Sequence, residues 1–334
     1  MSGSRCLVTG ATGVIGTQLV EALVEKGSIV TVLVRNDPPD HLLPAAVTIV
    51  KGDLLNPEAL RKATSGVDTV FHLAAKLHLS NPGSDLNEDY RNINVEGTRL
   101  LLDHAQAAKV RRFVYFSTIN VYGPGDPGRA FSEADTPAPE GIYAQTKYEG
   151  EKFVLGAQSA EKRTPIGVVL RLAAVYGPHM KGNYSRLVRA VSKGFFVPVG
   201  NGLNRRTLVH ERDVVAAAIL AAEHPQAAGQ IFNVTDGHIH TFNEILATIC
   251  QVVNRRPPRF HLPVAPFRLL AGLAEDVSRF VGFRSPIVRA TVDKLIEDVA
   301  VNGEKLQREM NFQPQFDLAR GWRDTMEHLS SPAS

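Results

Sequence analysis

Cysteine is scarce in this chain: two residues in 334, Cys6 and Cys250, far apart and each in an apolar context. That scarcity argues against a disulfide framework and for a reducing, cytoplasmic setting. No run of about 18 apolar residues occurs, so no membrane-spanning helix is expected. The chain passes from MSGS straight into RCLVTG, which leaves no room for a signal peptide. Fixed-period repeats and long low-complexity segments are also missing, and the final SSPAS reads as a frayed tail. Charge of one sign is in short supply too. The formal net charge of +3 is spread along the sequence; it suits an anionic substrate but gives no argument for nucleic acid.

What is present is apolar material, 44% of the chain, enough for one large core and a smaller one. Short apolar runs at Cys6–Thr9, Val30–Val34, Val47–Val50, Val70–Leu73 and Phe113–Ser117 predict buried strands. Helical spacing predicts Ile15–Lys26, Asn56–Thr64, Leu86–Ala108 and Tyr143–Ser159, with a further strand at Gly167–Leu172. Strands that are apolar throughout, each followed by a helix, predict an α/β fold whose parallel sheet is covered on both sides. After about residue 175 the segments shorten. A helix within Val209–Glu223 starting near Glu211, a strand at Ile231–Thr235, and helices at Phe242–Val253 and Phe267–Val281 are expected there.

The first strand runs into TGATGVIG, with Gly10, Gly13 and Gly16 between strand and helix. A turn that meets a pyrophosphate needs residues without a Cβ, and the helix that follows offers N–H groups and a positive dipole end. Arg35 closes the next strand where an acidic residue would bind an adenosine ribose. Its guanidinium suits a 2′-phosphate and favours NADP(H) over NAD(H). Asp53 reads equally as a partner for adenine and as the cap of the helix at Asn56.

A hydroxyl pair, Ser117 and Thr118, ends the strand RFVYFST, and YAQTK follows at Tyr143–Lys147. Four residues is one helical turn, so Tyr143 and Lys147 share a face. A phenol of pKa about 10 is a poor base near neutrality. An ammonium one turn away favours the phenolate, which can then take a proton from a substrate hydroxyl or return it to a carbonyl.

TGATGVIG, KGDLLN, VFHLAA, NVEGT, FSTINVYG, YAQTK and RLAAVYGP, in that order, resemble the extended short-chain dehydrogenases/reductases, the NAD(P)-dependent nucleotide-sugar epimerase/dehydratase superfamily. The resemblance implies a Rossmann doubly wound parallel sheet over residues 1–175. A smaller C-terminal substrate-binding lobe over 176–330 would interleave with the last sheet elements. It implies that Gly10, Thr12, Gly13, Val14, Ile15 and Gly16 hold the pyrophosphate, with Asp53 and Leu54 near the adenine. Leu73, Ala74 and Ala75 would line the cofactor, and Asn94 would brace the strand that follows. Thr118 would be the catalytic hydroxyl with Ser117 behind it, Tyr143 the acid/base and Lys147 its partner. A homodimer seam of the Leu86–Ala108 and Tyr143–Ser159 helices is common in the superfamily.

Members that remove water from a 4-keto sugar carry an Asp-Glu pair after the catalytic Thr. Here Ile119 and Asn120 stand there, which argues against a dehydratase. A UDP-hexose or UDP-N-acetylhexosamine 4-epimerase and a 4-ketoreductase remain. Ala174, where many hexose epimerases carry Asn, leans with Arg35 toward the reductase. On the substrate side the resemblance implies Asn120, Asn183 against the nucleotide, and Arg205 and Arg206 near the diphosphate, with Arg284 or Arg289 in place of a missing Arg-Pro-Gly-Asp element. The rival is a hydroxysteroid or dihydroflavonol reductase with an apolar pocket; a non-catalytic NADP-sensing protein is a more distant reading. No metal site is expected: His238 and His240 lack a third ligand, and His210 reads as structural. NRRPPRF reads as a solvated linker, and Phe267–Val281 as an amphipathic helix of the substrate lobe.

Overall fold

The computed structural model describes residues 1, 3–77, 84–269, 272, 293 and 296–330. Its centre is a seven-stranded sheet in the order β10-β6-β5-β4-β1-β2-β3. The strands are β1 (Arg5–Thr9), β2 (Ile29–Val34), β3 (Thr48–Lys51), β4 (Thr69–His72), β5 (Arg112–Thr118), β6 (Gly167–Leu172) and β10 (Ile231–Val234). Every neighbouring pair is parallel, so all carboxyl ends lie along one edge. The strand order reverses direction between β1 and β4, where a doubly wound sheet leaves a crevice for a ligand. This is a Rossmann-like α/β fold.

Helices cover both faces because the strands are apolar on both. On one face α1 (Val14–Glu25) and α7 (Glu211–Glu223) bury Leu19, Val20, Leu23, Val214 and Ala218 against β1 and β6. On the other, α2 (Pro57–Thr64), α4 (Gly97–Ala107) and α5 (Gly141–Gly156) bury Leu60, Leu101, Ala105 and Val154. The strand β10 reaches this sheet from beyond residue 176.

The helix expected over Leu86–Ala108 is broken. It comprises α3 (Ser84–Arg91), a π-helical turn at Asn92–Glu96, and α4. Two contacts hold the wide turn in place. Asn94 accepts a hydrogen bond from Lys76 N at 2.7 Å, and Gly97 lies so near Leu54 that a Cβ there would sit 2.9 Å from the Leu54 Cβ. A π turn of this kind re-aims one side chain without ending the helix.

A second core lies beyond the sheet. Short strands β7 (Ala174–Tyr176) and β9 (Leu208–His210) pair in parallel, and β8 (Arg205–Arg206) pairs antiparallel with β11 (His240–Thr241). Around them pack α6 (Asn183–Ser192), α8 (Phe242–Val252) and the C-terminal α10 (Leu318–Ser330), with α9 (Glu304–Met310) preceding it. Helix α8 starts on a capping box, Thr241 with Glu244. Residues 264–269 are helical; most of the rest of the helix expected to Val281 lies outside the described residues, as do Arg284 and Arg289. Trp322 of α10 is fully buried and stacks on Tyr176 at 4.7 Å between centroids. Replacing Trp322 with Ala should cost about 3–5 kcal/mol, read as a lowered urea midpoint at unchanged slope.

Candidate active site

Thr9 ends β1, and the chain turns at Gly10 with φ of 74°. A Cβ on Gly10 would lie 2.7 Å from Ala74 N, and one on Gly16 would lie 2.1 Å from Gly10 O. The first glycine lets the turn meet the Leu73–Ala75 backbone, and the last lets α1 pack on the turn. Gly13 is the N-cap and has no side chain to cap the helix. The first-turn N–H groups around Val14 and Ile15 therefore meet no capping side chain, with exposed Thr12 beside them. That arrangement fits the diphosphate of a nicotinamide dinucleotide.

Beneath the turn runs a buried polar chain that sequence reading missed. His72 Nδ1 lies 2.7 Å from Thr9 Oγ1 and Nε2 lies 2.9 Å from Thr98 Oγ1. Thr98 donates its own proton to Asn94 O at 2.8 Å. Nε2 must therefore be the donor, and Nδ1 accepts from Thr9, whose oxygen also accepts from Ala74 N at 3.3 Å. The ring stays neutral: burial, aided by the Lys147 charge, pushes its pKa down to about 3. Asn94 joins this chain to the site, since its Nδ2 donates to Thr146 Oγ1 at 3.1 Å.

At the carboxyl end of β5, Thr118 is half-buried and its Oγ1 accepts from Asn120 N at 3.2 Å. Across from it α5 carries Tyr143 and Lys147. Burial first, and then the neighbouring Tyr90, pushes the Tyr143 phenol up to about 12. Burial pushes Lys147 down to about 7, against the pull of the Glu151 carboxylate. The Lys147 Nζ sits 3.9 Å from the centre of the Tyr115 ring. One turn further along, Glu151 is fully buried. It accepts from Ser117 Oγ and is clasped by Arg171, with Nη2 at 2.7 Å. The Ser117 hydroxyl, expected near the cofactor, is turned inward and committed to this pair. Neither Glu151 nor Arg171 stood out in the sequence, because their partners lie on other elements.

The remaining candidates are spread along the same edge. Exposed Arg35 follows β2, and the nearby Asp37 accepts from Lys51 Nζ at 2.7 Å. Asp53 does not cap α2; it accepts from Leu55 N at 3.0 Å, and Asn56 caps the helix by accepting from Glu58 N and Ala59 N. Leu54 is buried under Gly97. Asn120 is exposed, as is Asn183 at the start of α6. Arg205, expected near the diphosphate, is paired within the protein: its Nε donates to Asp298 at 3.0 Å and its Nη2 to Arg129 O at 2.8 Å. Arg206, next on the strand, points to the opposite face. There its charge opposes the burial that pushes Tyr184 up to about 12. His240 Nε2 lies 2.7 Å from Asp236 Oδ2. Among the described residues, no cluster of three or more His, Cys, Asp or Glu could hold a metal.

Residues 6–235 match the model of the NAD dependent epimerase/dehydratase family. The chain is 30% identical to a UDP-glucose 4-epimerase of Vibrio cholerae, over 96% of this chain and 94% of that one. It is 28% identical to a 3β-hydroxysteroid dehydrogenase/Δ5→4-isomerase of Mycobacterium tuberculosis, over 98% and 90%. Among solved structures, MoeE5 in complex with UDP-glucuronic acid and NAD superposes with a TM-score of 0.73 at 28% identity, over 98% and 99%.

The buried lysine sets a pH dependence. With the folded pKa lowered to about 7 from 10.5, the unfolded chain binds more protons between those values, so stability rises with pH across that window. The slope should approach about 1.4 kcal/mol per pH unit above pH 7 for this one group. Replacing Lys147 with Met should flatten the rise and stabilise the protein below pH 7, as read by urea denaturation from pH 6 to 8.5.

Proposed function

We propose, from the premise that the chain belongs to the NAD-dependent epimerase/dehydratase family of extended short-chain dehydrogenases/reductases and is an NAD-dependent enzyme of that kind, that it transfers hydride at C4 of a UDP-hexose or UDP-N-acetylhexosamine, as a 4-epimerase or 4-ketoreductase. The observation that carries this reading is the pairing of Tyr143 and Lys147 on one face of α5 with Thr118 at the end of β5. Ile119 and Asn120, which lack a carboxylate after that hydroxyl, argue against water removal.

The nicotinamide dinucleotide supplies the hydride acceptor and donor. The chain supplies the rest. Thr118 orients the reacting oxygen of the sugar, and Tyr143 takes its proton or returns it. Lys147 in its charged form lowers the cost of a phenolate at Tyr143. Asn183 and Arg206 are the proposed contacts to the nucleotide and diphosphate, Arg206 because a guanidinium matches phosphate oxygens. Arg35, with Asp37 two residues on occupied by Lys51, supports NADP(H) over NAD(H). A cytosolic homodimer through the outer faces of α4 and α5 completes the reading; there Arg99, Lys152 and Phe153 line a groove of about 280 Å³.

The commitment of Arg205 to Asp298 removes one polar contact from the sugar-nucleotide reading. It favours, as the second reading, an apolar alcohol of the hydroxysteroid type, in keeping with the mycobacterial relative. Both readings use the same three reacting groups.

The test is to extract and identify any dinucleotide bound to the purified protein. UDP-glucose, UDP-GlcNAc and their C4 epimers are then added without cofactor and followed by NMR. Interconversion with a retained dinucleotide establishes the epimerase. Turnover of a 4-keto sugar only with added NADPH establishes the reductase. Failure of both, with oxidation of a 3β-hydroxysteroid, establishes the second reading. In whichever assay responds, Tyr143→Phe should lower kcat by about 10²–10⁴-fold. Arg35→Asp should weaken NADP+ binding at least about tenfold while sparing NAD+, as measured by calorimetry.

A further inference from the structure

Two segments of the second core are zipped side by side. Val199 and Leu262 form a parallel bridge, Leu262 N donates to Pro198 O at 2.8 Å, and Gly200 N donates to Leu262 O at 2.9 Å. At the other end the Arg255 side chain donates from Nη2 to Ser192 O at 2.9 Å, so the segments that carry Phe195 and Phe260 meet at both ends. Val199 is held beneath by Val264, Phe267 and Ile296. The outer face is the opposite: Phe195 is 83% exposed and Phe260 82%, with Val197 and Leu262 exposed beside them.

An exposed pair of phenylalanines on paired segments is unusual on a soluble surface. The two chain segments that form it carry charges of one sign only. Residues 179–210 and 245–269 contain no Asp or Glu. Lys193, Arg256 and Arg259 are exposed within the zipped segments, and Arg255 flanks them. Aromatic residues that reach past a ring of cations match the boundary of an anionic bilayer, with rings at the acyl level and cations among the phosphates. A protein partner of ordinary composition would have to meet this patch with a surface both apolar and acidic; an anionic leaflet offers both at once. A cavity of about 630 Å³ shares His261 and Leu262 with the patch and is also lined by Asn201, Asn204 and Ile296. Its mouth would therefore lie against the same surface.

We propose that the face formed by residues 192–199 and 255–262 docks the protein on the surface of an anionic lipid bilayer, with Phe195 and Phe260 inserted and Lys193, Arg255, Arg256 and Arg259 among the headgroups. The docking stands whichever substrate the active site takes.

The full chain should co-sediment with vesicles of phosphatidylcholine containing one-third phosphatidylglycerol and not with pure phosphatidylcholine. High salt should weaken the binding by screening. The double variant Phe195→Ser/Phe260→Ser should lower the partition coefficient at least about tenfold. The triple variant Arg255→Glu/Arg256→Glu/Arg259→Glu should lose the preference for anionic lipid. Dinucleotide binding checks that each variant is folded. Single variants Phe195→Trp and Phe260→Trp read the same surface if the serine variants fail to fold. The one native tryptophan, Trp322, is buried, so a blue shift on adding anionic vesicles reports insertion of the new ring. An unmoved emission in both tryptophan variants overturns the proposal, and so does the absence of vesicle binding by the parent. Serine variants that sediment as well as the parent also overturn it. A change of oligomeric size in the serine variants, without lipid binding by the parent, overturns it in favour of a protein interface.

Discussion

Burying two charges on one helix, with a third on the strand beneath it, is the constraint around which the site is built. To bring Tyr143 and Lys147 to the sheet's carboxyl edge, α5 must lie flat on β5 and β6, and its inner face then leaves water. A lysine there loses its hydration, which is why its pKa falls. Glu151, one turn on, opposes that fall, and its own buried carboxylate is met by Arg171 and Ser117, which fill its lone pairs. With Lys147 charged, the set of Lys147, Glu151 and Arg171 carries one net positive charge. Its Lys147 member lies one helical turn from Tyr143 on the same helix. Breaking the Glu151–Arg171 pair by removing one partner typically costs about 3–5 kcal/mol, so the site and the fold are held by the same contacts.

The neutral counterpart is the chain from Thr9 through His72 and Thr98 to Asn94. It carries no net charge because burial and Lys147 together keep His72 unprotonated. Thr9, His72 and Thr98 each donate once and accept from the group before, so the direction of every proton is fixed along the chain. The π turn at Asn92–Glu96 exists where this chain ends, since it lets Asn94 reach Lys76 and Thr146 from inside a helix. The glycine turn, the segment after β4 and the start of α5 are thereby tied into one unit. Such a unit can hold a dinucleotide along an edge built from loops.

What the sequence makes legible is whatever has a local signature. Apolar runs of strand length, the glycines of the first turn and the one-turn spacing of Tyr143 and Lys147 are all carried by residues close together in the chain. The buried partners are not. Ser117 meets Glu151 across 34 positions, and Arg205 meets Asp298 across 93. A hydroxyl beside the catalytic one, or an arginine beside another, looks the same in sequence whether it faces a ligand or the core. The break in the long helix was equally hidden: Asn92–Glu96 lies within a helically spaced run, and the contacts of Asn94 and Gly97 that hold the wider turn are with distant segments.

Alternation along a strand separates Arg205 from Arg206. Because side chains in β8 point to opposite faces, one of two adjacent arginines had to turn toward the protein. Asp298 and the Arg129 carbonyl take that one. Arg206, on the face shared with Tyr184, keeps the charge that opposes burial of the phenol. The reacting groups, fixed by the buried charges on α5, are indifferent to what lies beyond the oxygen they handle. Discrimination between a charged nucleotide and an apolar alcohol therefore falls on the second core. That core holds both Arg206, on the face of β8 toward Tyr184, and a cavity edged by Leu262 and Ile296, so a cationic and an apolar feature lie within it together.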